Sequence, residues 1–218
     1  ITVGPEGKEA TEIAAEMLLV AAGRATNVED VGLETTAAVV DRGIVKVDGH
    51  MRTAEPHLYA IGDIVGGLML AHTAAHEGIT AVHTIAGDPD VHPMDYMKQP
   101  RATYCRPEIA SVGLTEQECE QRGLPTKIGK VPFQAIAKAL IGGEYEGFAK
   151  VIANKETEET LGIHIIGPHA TDLIAEASLA FTLEAVPWEI GLTTHAHPTL
   201  SEVLGETAMA VDGRSINF

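Results

Sequence analysis

The chain has 218 residues, and 45% of them are hydrophobic, which is enough to bury the core of one or two domains. Its 15 Lys and Arg residues face 31 Asp and Glu residues, so the formal net charge is −16. A field of this sign repels nucleic acid and anionic membrane surfaces, and no apolar run approaches the roughly 18 residues that a membrane helix needs.

The first predicted elements are strands. The opening stretch, ITVGPEGKEATEIAAEMLLVAAGR, predicts two strands around a turn of Gly, Pro and Lys. Within it, Glu16 to Gly23 is a continuous apolar run that ends in glycine, which predicts a strand buried on both faces. Because the sequence starts at Ile1 and enters in the middle of a sheet, we expect it to be a piece of a longer protein.

Residues 43–87 predict strands followed by a helix. Residues 43–49 alternate as a strand does, and residues 57–63 repeat the apolar run that ends in glycine. The helix is predicted from apolar or small residues at helical spacing, with Gly87 as its C-terminal stop. The residues at that spacing are Leu70, Ala74, Gly78, Val82 and Ile85. Any chemistry of this part therefore belongs where a strand and a Gly-Asp pair meet the helix.

From about Met97 the pattern changes to strands followed by helices, which is typical of an α+β domain. Its predicted strands are residues 108–113, 127–133, 147–154 and 160–167, and a charged turn joins the last two as an antiparallel hairpin. Its predicted helices are residues 115–123, 171–185 and a last one from about Thr199. Thr115 and Glu118 have the spacing of a capping box. The turn-rich residues 87–100 mark the boundary with the preceding part.

The Gly62-Asp63 junction suits a ligand that carries hydroxyl groups. Gly62 lets backbone come close to a ligand, and the Asp63 carboxylate accepts hydrogen bonds from sugar-like hydroxyls. The helix after Met69 offers unpaired N–H groups and the positive end of its dipole to a ligand that gains negative charge, such as a reduced flavin ring. The alternative interpretation makes Gly62 a turn glycine and Asp63 a cap residue.

The segment HAHPTLSE, residues 195–202, permits two interpretations from its residues alone. His195, His197 and Glu202 are ligand types that zinc accepts, although they are few without a further partner element. Thr199 and Glu202 have capping-box spacing, so Glu202 could simply accept a hydrogen bond from the amide of the cap.

Two motifs carry a resemblance to a known family. Residues 53–78 resemble the second flavin-binding segment of the pyridine nucleotide–disulfide oxidoreductases, and residues 195–202 resemble their C-terminal active-site segment. Within the family, the chain is most similar to the dihydrolipoamide dehydrogenase branch. Three segments carry this similarity: MLAH at residues 69–72, HAHPTLSE at residues 195–202 and the ending GRSINF. The resemblance covers essentially the whole chain. It implies an enzyme that oxidises dihydrolipoyl groups and passes the electrons through FAD to NAD+.

The family's organisation implies three regions and an α/β plus α+β fold. Residues 1–27 resemble the tail of the NAD-binding domain, 28–96 the central, FAD-contacting region, and 97–218 the interface (dimerisation) domain with its antiparallel sheet. The sequence contains no G-x-G-x-x-G, and Cys105 and Cys119 do not fit the family's redox pair. We therefore expect this piece to be inactive alone. The cysteine usage indicates a reduced, cytoplasmic chain.

The resemblance also implies cofactor contacts. Asp63 would contact the ribityl and pyrophosphate region of FAD. The residues expected along the isoalloxazine, with backbone N–H groups near its O2 edge, are Met69, Leu70, Ala71 and His72. Gly23 would lie along the nicotinamide cofactor NAD, while the neighbouring Arg24 has no assigned role.

For the histidine segment, the resemblance adds a third interpretation. His197 would be the catalytic base that takes a proton from a dihydrolipoyl thiol, and Glu202 would bind its other ring nitrogen and fix its tautomer. Pro198 is expected to follow a cis peptide bond, and His195 to shape the pocket. No metal site is then expected there.

The implied partners are a second copy of the chain and two domains of another protein. In the family the base reaches the disulfide of the other subunit, so a homodimer is expected, with residues 173–185 as a candidate apolar face. The lipoyl domain and the peripheral subunit-binding domain of a 2-oxo acid dehydrogenase acyltransferase are the other expected partners. The alternatives are a glutathione or mercuric reductase, although the cysteine pair that usually ends a mercuric reductase is absent, and a non-catalytic dimerisation module.

Overall fold

A computed structural model describes residues 2–4 and 10–218 of the chain. At its start, β1 (Thr2–Val3) pairs antiparallel with β2 (Thr11–Glu12), and Thr2 lies opposite Glu12. Two strands therefore flank the predicted turn, whose Pro and Lys fall on residues 5–9, outside the described residues.

The prediction of a buried strand at residues 16–23 is wrong. This run has no strand hydrogen bonding, and its apolar side chains are exposed, with Met17 91% and Leu19 88% accessible. A strand forms only when neighbouring strands accept its backbone hydrogen bonds, and the described part of the chain brings none beside this run.

The middle region contains little regular sheet. Its strands are β3 (Val40–Asp41) and β4 (Ile44–Val45), which form a hairpin, so the strand predicted at 43–49 is limited to its first residues. The prediction of a strand at residues 57–63 is wrong. That stretch contains one isolated β-bridge, from Tyr59 to Arg52, and then a 3-10 helix, Gly62–Val65. Gly62 has φ +77°, a left-handed conformation that ends extended backbone.

Helix α1 (Ala71–Ala86) follows, and Gly87 ends it in the left-handed conformation, as predicted. The predicted apolar stripe, however, is not the buried face, because Val82 and Ile85 are both 63% exposed. The face that is buried carries mainly polar side chains, namely Thr73, Glu77, Thr80, Ala81 and Thr84. Hydrogen bonds compensate part of this burial, since Thr84 donates to the Thr80 carbonyl at 2.7 Å. The buried Thr73 hydroxyl, in contrast, has no hydrogen-bond partner among the described residues.

An antiparallel five-stranded sheet organises the rest of the chain, which confirms the predicted α+β architecture. In chain order its strands are β5 (Arg101–Thr103), β6 (Glu108–Gly113), β7 (Thr126–Pro132), β8 (Phe148–Asn154) and β9 (Thr160–Gly167). Their spatial order is β5-β6-β9-β8-β7. The predicted hairpin joins β8 to β9, and the short edge strand β5 was missed.

Five helices accompany this sheet: α2 (Glu116–Gln121), α3 (Ala137–Gly142), α4 (Ala170–Thr182), α5 (Pro187–Leu192) and α6 (Glu202–Ala210). The capping box of Thr115 and Glu118 is present at α2 as predicted, whereas α3 and α5 were not predicted. Helices α4 and α6 share one core with the sheet, which includes Val112, Val151 and Leu204. Helix α6 crosses β7 at Gly129, where a methyl group would overlap the Thr207 carbonyl oxygen. The sheet thereby fixes the helix that begins with Glu202.

Within residues 2–4 and 10–218, no helix has both the length and the apolar character that crossing a membrane requires.

Candidate active site

The structure brings His197 and Glu202 together. They lie at the end of the loop between α5 and α6, and Nδ1 of His197 is 2.8 Å from Oε1 of Glu202. The imidazole is 71% exposed, whereas the carboxylate, in the first turn of α6, is 18% exposed. The His197–Pro198 peptide bond is cis, as the resemblance implies. Because Nδ1 faces the carboxylate, Nε2 lies on the opposite side of the ring, where a reactant can approach.

Glu202 also has the structural role that the capping interpretation assigns to it. Its second oxygen, Oε2, accepts a hydrogen bond from the Thr199 amide at 2.9 Å. The other half of the capping box does not form, because the residue that directly precedes the helix is Ser201 and no side chain caps the helix start. The Thr199 hydroxyl instead donates to the Ala196 carbonyl at 2.6 Å. One carboxylate therefore serves the helix start and the imidazole through different oxygens.

The pKa of Glu202 lies below its ordinary value. Burial raises this pKa, but the hydrogen bonds from the Thr199 amide and the His197 ring together outweigh burial. Glu202 is therefore ionised at neutral pH, which leaves both oxygens free to accept hydrogen bonds.

His195, although two residues from His197, has a different partner. Its Nε2 lies 2.8 Å from Oε1 of Glu176 on α4, and its side chain is 9% exposed. The hydrogen bond with Glu176 raises the pKa of His195 and outweighs the opposing effect of burial. Gly205 makes room for this ring, because a methyl group there would lie 2.9 Å from its Nδ1.

The shared-metal interpretation of the two histidines has no support in this geometry. Each imidazole turns to its own carboxylate, Glu176 for His195 and Glu202 for His197. In the described part of the chain, no group of three or more His, Cys, Asp and Glu residues is arranged to hold a metal ion.

A shallow cavity of about 260 Å³ lies beside the pair. Its lining residues are Ala135, Ile136, Ala137, His197, Glu202 and Asn217. Asn217 belongs to the C-terminal tail and residues 135–137 lead into helix α3, so distant parts of the sequence form the walls. Sequence analysis did not assign Asn217 or residues 135–137 to a site, although the ending GRSINF, which contains Asn217, contributes to the family resemblance.

The residues predicted to contact the cofactors form a second group. Asp63, in the 3-10 helix, lies 4.0 Å from Nη1 of Arg24, and the same nitrogen donates to the Met69 carbonyl at 3.5 Å. Arg24 thereby joins Gly23 to the Gly62-Asp63 junction. Among the described residues, no hydrogen bond or ion pair links this group to His197 or Glu202.

The start of α1 has the features that the flavin interpretation needs. Leu70 precedes the helix in extended conformation without a side-chain cap, so the amides of the first turn, which begins at Ala71, are open to a ligand. The side chain of His72 has a partner within the chain, since its Nε2 lies 2.8 Å from the Pro100 carbonyl oxygen.

Sequence analysis missed a carboxylate behind this junction. Glu77 of α1 is 2% exposed, and its Oε2 accepts a hydrogen bond from the Gly62 amide at 2.6 Å. Its Oε1 accepts from the Tyr96 hydroxyl at 2.8 Å. Burial and this hydrogen bond to Glu77 raise the pKa of Tyr96 to about 12. Glu77 thus ties the Gly62-Asp63 turn to the helix. In the sequence, the feature that could have indicated its burial is its position on the same helix face as Thr73 and Thr80.

Comparison with known families gives two matches. Residues 2–78 match the pyridine nucleotide-disulphide oxidoreductase domain, and residues 99–208 match the dimerisation domain of the same family. The second match contains His197 and Glu202, and the first contains the cofactor group.

Individual proteins show the same likeness. The dihydrolipoyl dehydrogenase of Bacillus subtilis is 52% identical over 210 residues, which are 96% of this chain and 44% of that protein. The dihydrolipoyl dehydrogenase of Chlamydia pneumoniae is 45% identical over 93% of this chain and 44% of its own length. The crystal structure of LpdA from Mycobacterium tuberculosis superposes with a TM-score of 0.79 at 28% identity, over 84% of this chain and 40% of that one.

The chain thus spans less than half the length of the relatives it matches. Both domain matches indicate the same family, and the superposition shows that the sheet and helices described above have its fold. The chain belongs to the pyridine nucleotide-disulphide oxidoreductase family.

Proposed function

We propose that the chain is the C-terminal part of an FAD-dependent dihydrolipoyl dehydrogenase. The observation that carries the proposal is the 2.8 Å contact of His197 with Glu202, in the segment that resembles the family's active site. Identities of 52% and 45% to dihydrolipoyl dehydrogenases favour this activity over a glutathione or mercuric reductase. The Gly-rich dinucleotide segments and the redox cysteine pair would come from other parts of the whole protein.

In the proposed reaction His197 is the general base. A free thiol has a pKa of about 8.5 and an imidazole about 6.5, so proton transfer from a dihydrolipoyl thiol to the ring costs roughly 3 kcal/mol. The ionised Glu202 lowers that cost, because it stabilises the imidazolium that forms at its side. It also keeps Nδ1 as the donor nitrogen, so that Nε2 receives the proton.

The residues of the second group fit a flavin. Asp63 offers an exposed carboxylate to the ribityl and pyrophosphate region, and the uncapped start of α1 offers amides to the ring. Met69, Leu70, Ala71 and His72 are the residues proposed along the isoalloxazine, and Gly23 is proposed along NAD. When bound, FAD carries the two electrons of the dithiol to NAD+.

We divide the chain into residues 1–27 of the NAD-binding domain, 28–96 of the central region and 97–218 of the interface domain. Two observations support the division: Val28, Val45 and Ala60 form a small core of their own, whereas the sheet and its helices share a larger one. The dimerisation-domain match over residues 99–208 supports a homodimer. The exposed Leu179 and Leu183, at the end of α4, are candidate contacts.

Two further partners belong to the proposal: the lipoyl domain that carries the substrate and the peripheral subunit-binding domain of the acyltransferase. The net charge of −16 favours a basic partner. A cytoplasmic location is likewise proposed.

The test uses the whole flavoprotein that carries this chain. We expect bound-flavin absorbance and NAD+-dependent oxidation of dihydrolipoamide. His197→Gln should lower the turnover number by about 10²- to 10⁴-fold, the usual contribution of a general base, while the flavin content stays unchanged. His92→Gln, at an exposed histidine before the sheet, is the matched control. A yellow wild-type protein without dihydrolipoamide oxidation would exclude the proposed activity, and full turnover in His197→Gln would exclude the base.

A further inference from the structure

We propose that Glu206 is a positioning residue that holds the C-terminal tail, residues 215–218, so that Asn217 forms a wall of the cavity beside His197. The inference rests on the proposed function, because it assigns this cavity to the dithiol substrate. It concerns a carboxylate that lies one helical turn after Glu202 and takes no part in proton transfer.

The contacts of Glu206 all lead to the tail. Its side chain, in α6, is 5% exposed. Oε2 accepts hydrogen bonds from the Ile216 amide at 2.9 Å and the Asn217 amide at 3.0 Å. Oε1 accepts from the Asn217 side-chain amide, Nδ2, at 2.7 Å. The Ser215 hydroxyl adds a hydrogen bond to the Glu206 carbonyl at 3.0 Å.

Hydrogen bonds, rather than apolar packing, hold the tail. Ile216 is 79% exposed and Phe218 is 65% exposed, so burial of their side chains contributes little. A buried carboxylate, in contrast, needs donors, and three N–H groups of the tail supply them. The position of the tail therefore depends on one side chain of α6.

The same helix orients the base. Residues four apart lie on one face of a helix, so Glu202 and Glu206 are neighbours on α6. Glu202 binds the imidazole, while Glu206 binds Asn217, which lines the same cavity. His197, Glu202 and Asn217 all line this space of about 260 Å³. Release of the tail would remove one wall and leave the imidazole-carboxylate pair in place.

The expected effect is on substrate positioning. With the tail released, a dithiol has more orientations beside Nε2, so its KM should rise. The turnover number should change much less, because the base and Glu202 remain paired. A raised KM with a nearly unchanged turnover number distinguishes loss of the cavity wall from a general loss of folded enzyme. The latter would lower the turnover number at constant KM.

The test compares three variants of the whole flavoprotein. Glu206→Gln removes the charge and one accepting oxygen from the three N–H donors of the tail, and Asn217→Ala removes the wall but keeps both backbone hydrogen bonds. Each should lower kcat/KM for dihydrolipoamide by about ten-fold, mostly through KM, the loss expected for one hydrogen bond to a charged group. The double variant Glu206→Gln/Asn217→Asp reverses donor and acceptor, since the new amide can donate to the new carboxylate. It should recover most of the wild-type KM.

A second measurement follows the tail without reference to activity. The rate at which carboxypeptidase removes Phe218 should rise in Glu206→Gln and return towards wild type in the double variant. An unchanged rate in Glu206→Gln overturns the clamp, and faster removal with an unchanged KM overturns its role in the cavity. A wild-type enzyme that fails to oxidise dihydrolipoamide overturns the proposed function and the role of Asn217 in it, while the digestion rates still decide the clamp.

Discussion

Nε2 of His195 lies 2.8 Å from Oε1 of Glu176, and this contact joins the histidine loop to helix α4. His195 is two residues before His197, and its ring is almost fully buried. The loop that presents the proposed base is therefore anchored by one imidazole while it exposes the other. The hydrogen bond raises the pKa of His195, so the anchor gains strength when the ring is protonated.

Glu176→Gln should destabilise the chain most at acidic pH. The pKa of His195 is raised above its ordinary 6.5 by folding, so the stabilisation is fully present below about pH 6.5 and is lost as the pH rises through the folded value. We expect the free energy of unfolding to fall by about 1 to 3 kcal/mol below pH 6.5, the contribution of a charged hydrogen bond, and the difference to narrow above it. Urea denaturation between pH 5.5 and 8.5 measures this.

The matched control is the exposed pair of His169 and Asp172 on the same helix, 3.5 Å apart. Asp172→Asn should change stability by less than about 0.5 kcal/mol at any pH in this range, because exposed pairs contribute little. A loss in Glu176→Gln that is equal at all pH values would show that the ring is not charged in the pair.

Glu202→Gln should weaken catalysis less than loss of the base. The amide can still accept one hydrogen bond, but it no longer stabilises an imidazolium. We expect kcat/KM for dihydrolipoamide to fall roughly 10- to 100-fold, the worth of a charged hydrogen bond in rate. The pH profile of kcat/KM should differ from that of the wild type, because the partner of the ring no longer carries a charge.

Ser201→Ala is the control for this measurement. The Ser201 hydroxyl contacts the Thr199 hydroxyl at 2.9 Å and leaves both oxygens of Glu202 with their partners. Its pH profile should match that of the wild type. If the pH profile of Glu202→Gln is also unchanged, the role of Glu202 is limited to its hydrogen bond with the Thr199 amide.

The C-terminal part of the fold was predictable from sequence because its signals are local. Strand β6 coincides with the predicted residues 108–113, and β8 and β9 are joined by the charged turn that marked their hairpin. The pairing of His197 with Glu202 is also local, because they are five positions apart in the sequence. The resemblance of residues 195–202 to the family's active-site segment already implies this pairing.

The remaining features depend on contacts between distant residues. Glu176 and His195 are nineteen positions apart, and in the sequence Glu176 is typical of a surface acid on an amphipathic helix. The buried face of α1 is polar because Glu77 meets Gly62 and Tyr96, which hydropathy patterns do not detect. The apolar side chains of residues 16–23 are exposed because a strand forms only beside other strands, and the described residues place none next to this run.

Glu77→Gln should weaken flavin binding. The carboxylate accepts hydrogen bonds from the Gly62 amide and the Tyr96 hydroxyl, whereas a carboxamide has one accepting oxygen for these two donors. The hydrogen bond from the Gly62 amide then loses its charged acceptor, which weakens the tie between α1 and the turn that carries Asp63, the proposed ribityl contact. We expect the Kd for FAD to rise by about ten-fold, measured by titration of the apo-flavoprotein, on the basis of one lost charged hydrogen bond.

Tyr96→Phe separates the two ties of Glu77. It removes the hydroxyl donor and keeps the bond to the Gly62 amide, so its effect on the Kd for FAD should be clearly smaller. If Tyr96→Phe weakened FAD binding as much as Glu77→Gln, the Gly62 contact would not be what positions the turn.

Gly129→Ala should disturb the helix that carries the candidate site. At this point of β7 a methyl group would overlap the Thr207 carbonyl oxygen and lie 2.6 Å from the Val211 amide nitrogen, both backbone atoms of the α6 region. Helix α6 must then move away from the sheet, at an expected cost of about 1 to 3 kcal/mol in the free energy of unfolding. Because Glu202 begins that helix, dihydrolipoamide oxidation should fall together with stability.

Gly142→Ala is the matched glycine control, since a methyl group at the end of α3 would meet no atom within 4 Å. There the substitution should be neutral or stabilising by up to about 1 kcal/mol, because alanine loses less backbone entropy on folding than glycine. Urea denaturation and dihydrolipoamide oxidation of both variants give the comparison. Equal stability of the two variants would mean that β7 and α6 do not approach as closely as Gly129 permits. A loss of stability in Gly129→Ala with full activity would mean that the position of α6 does not control the base.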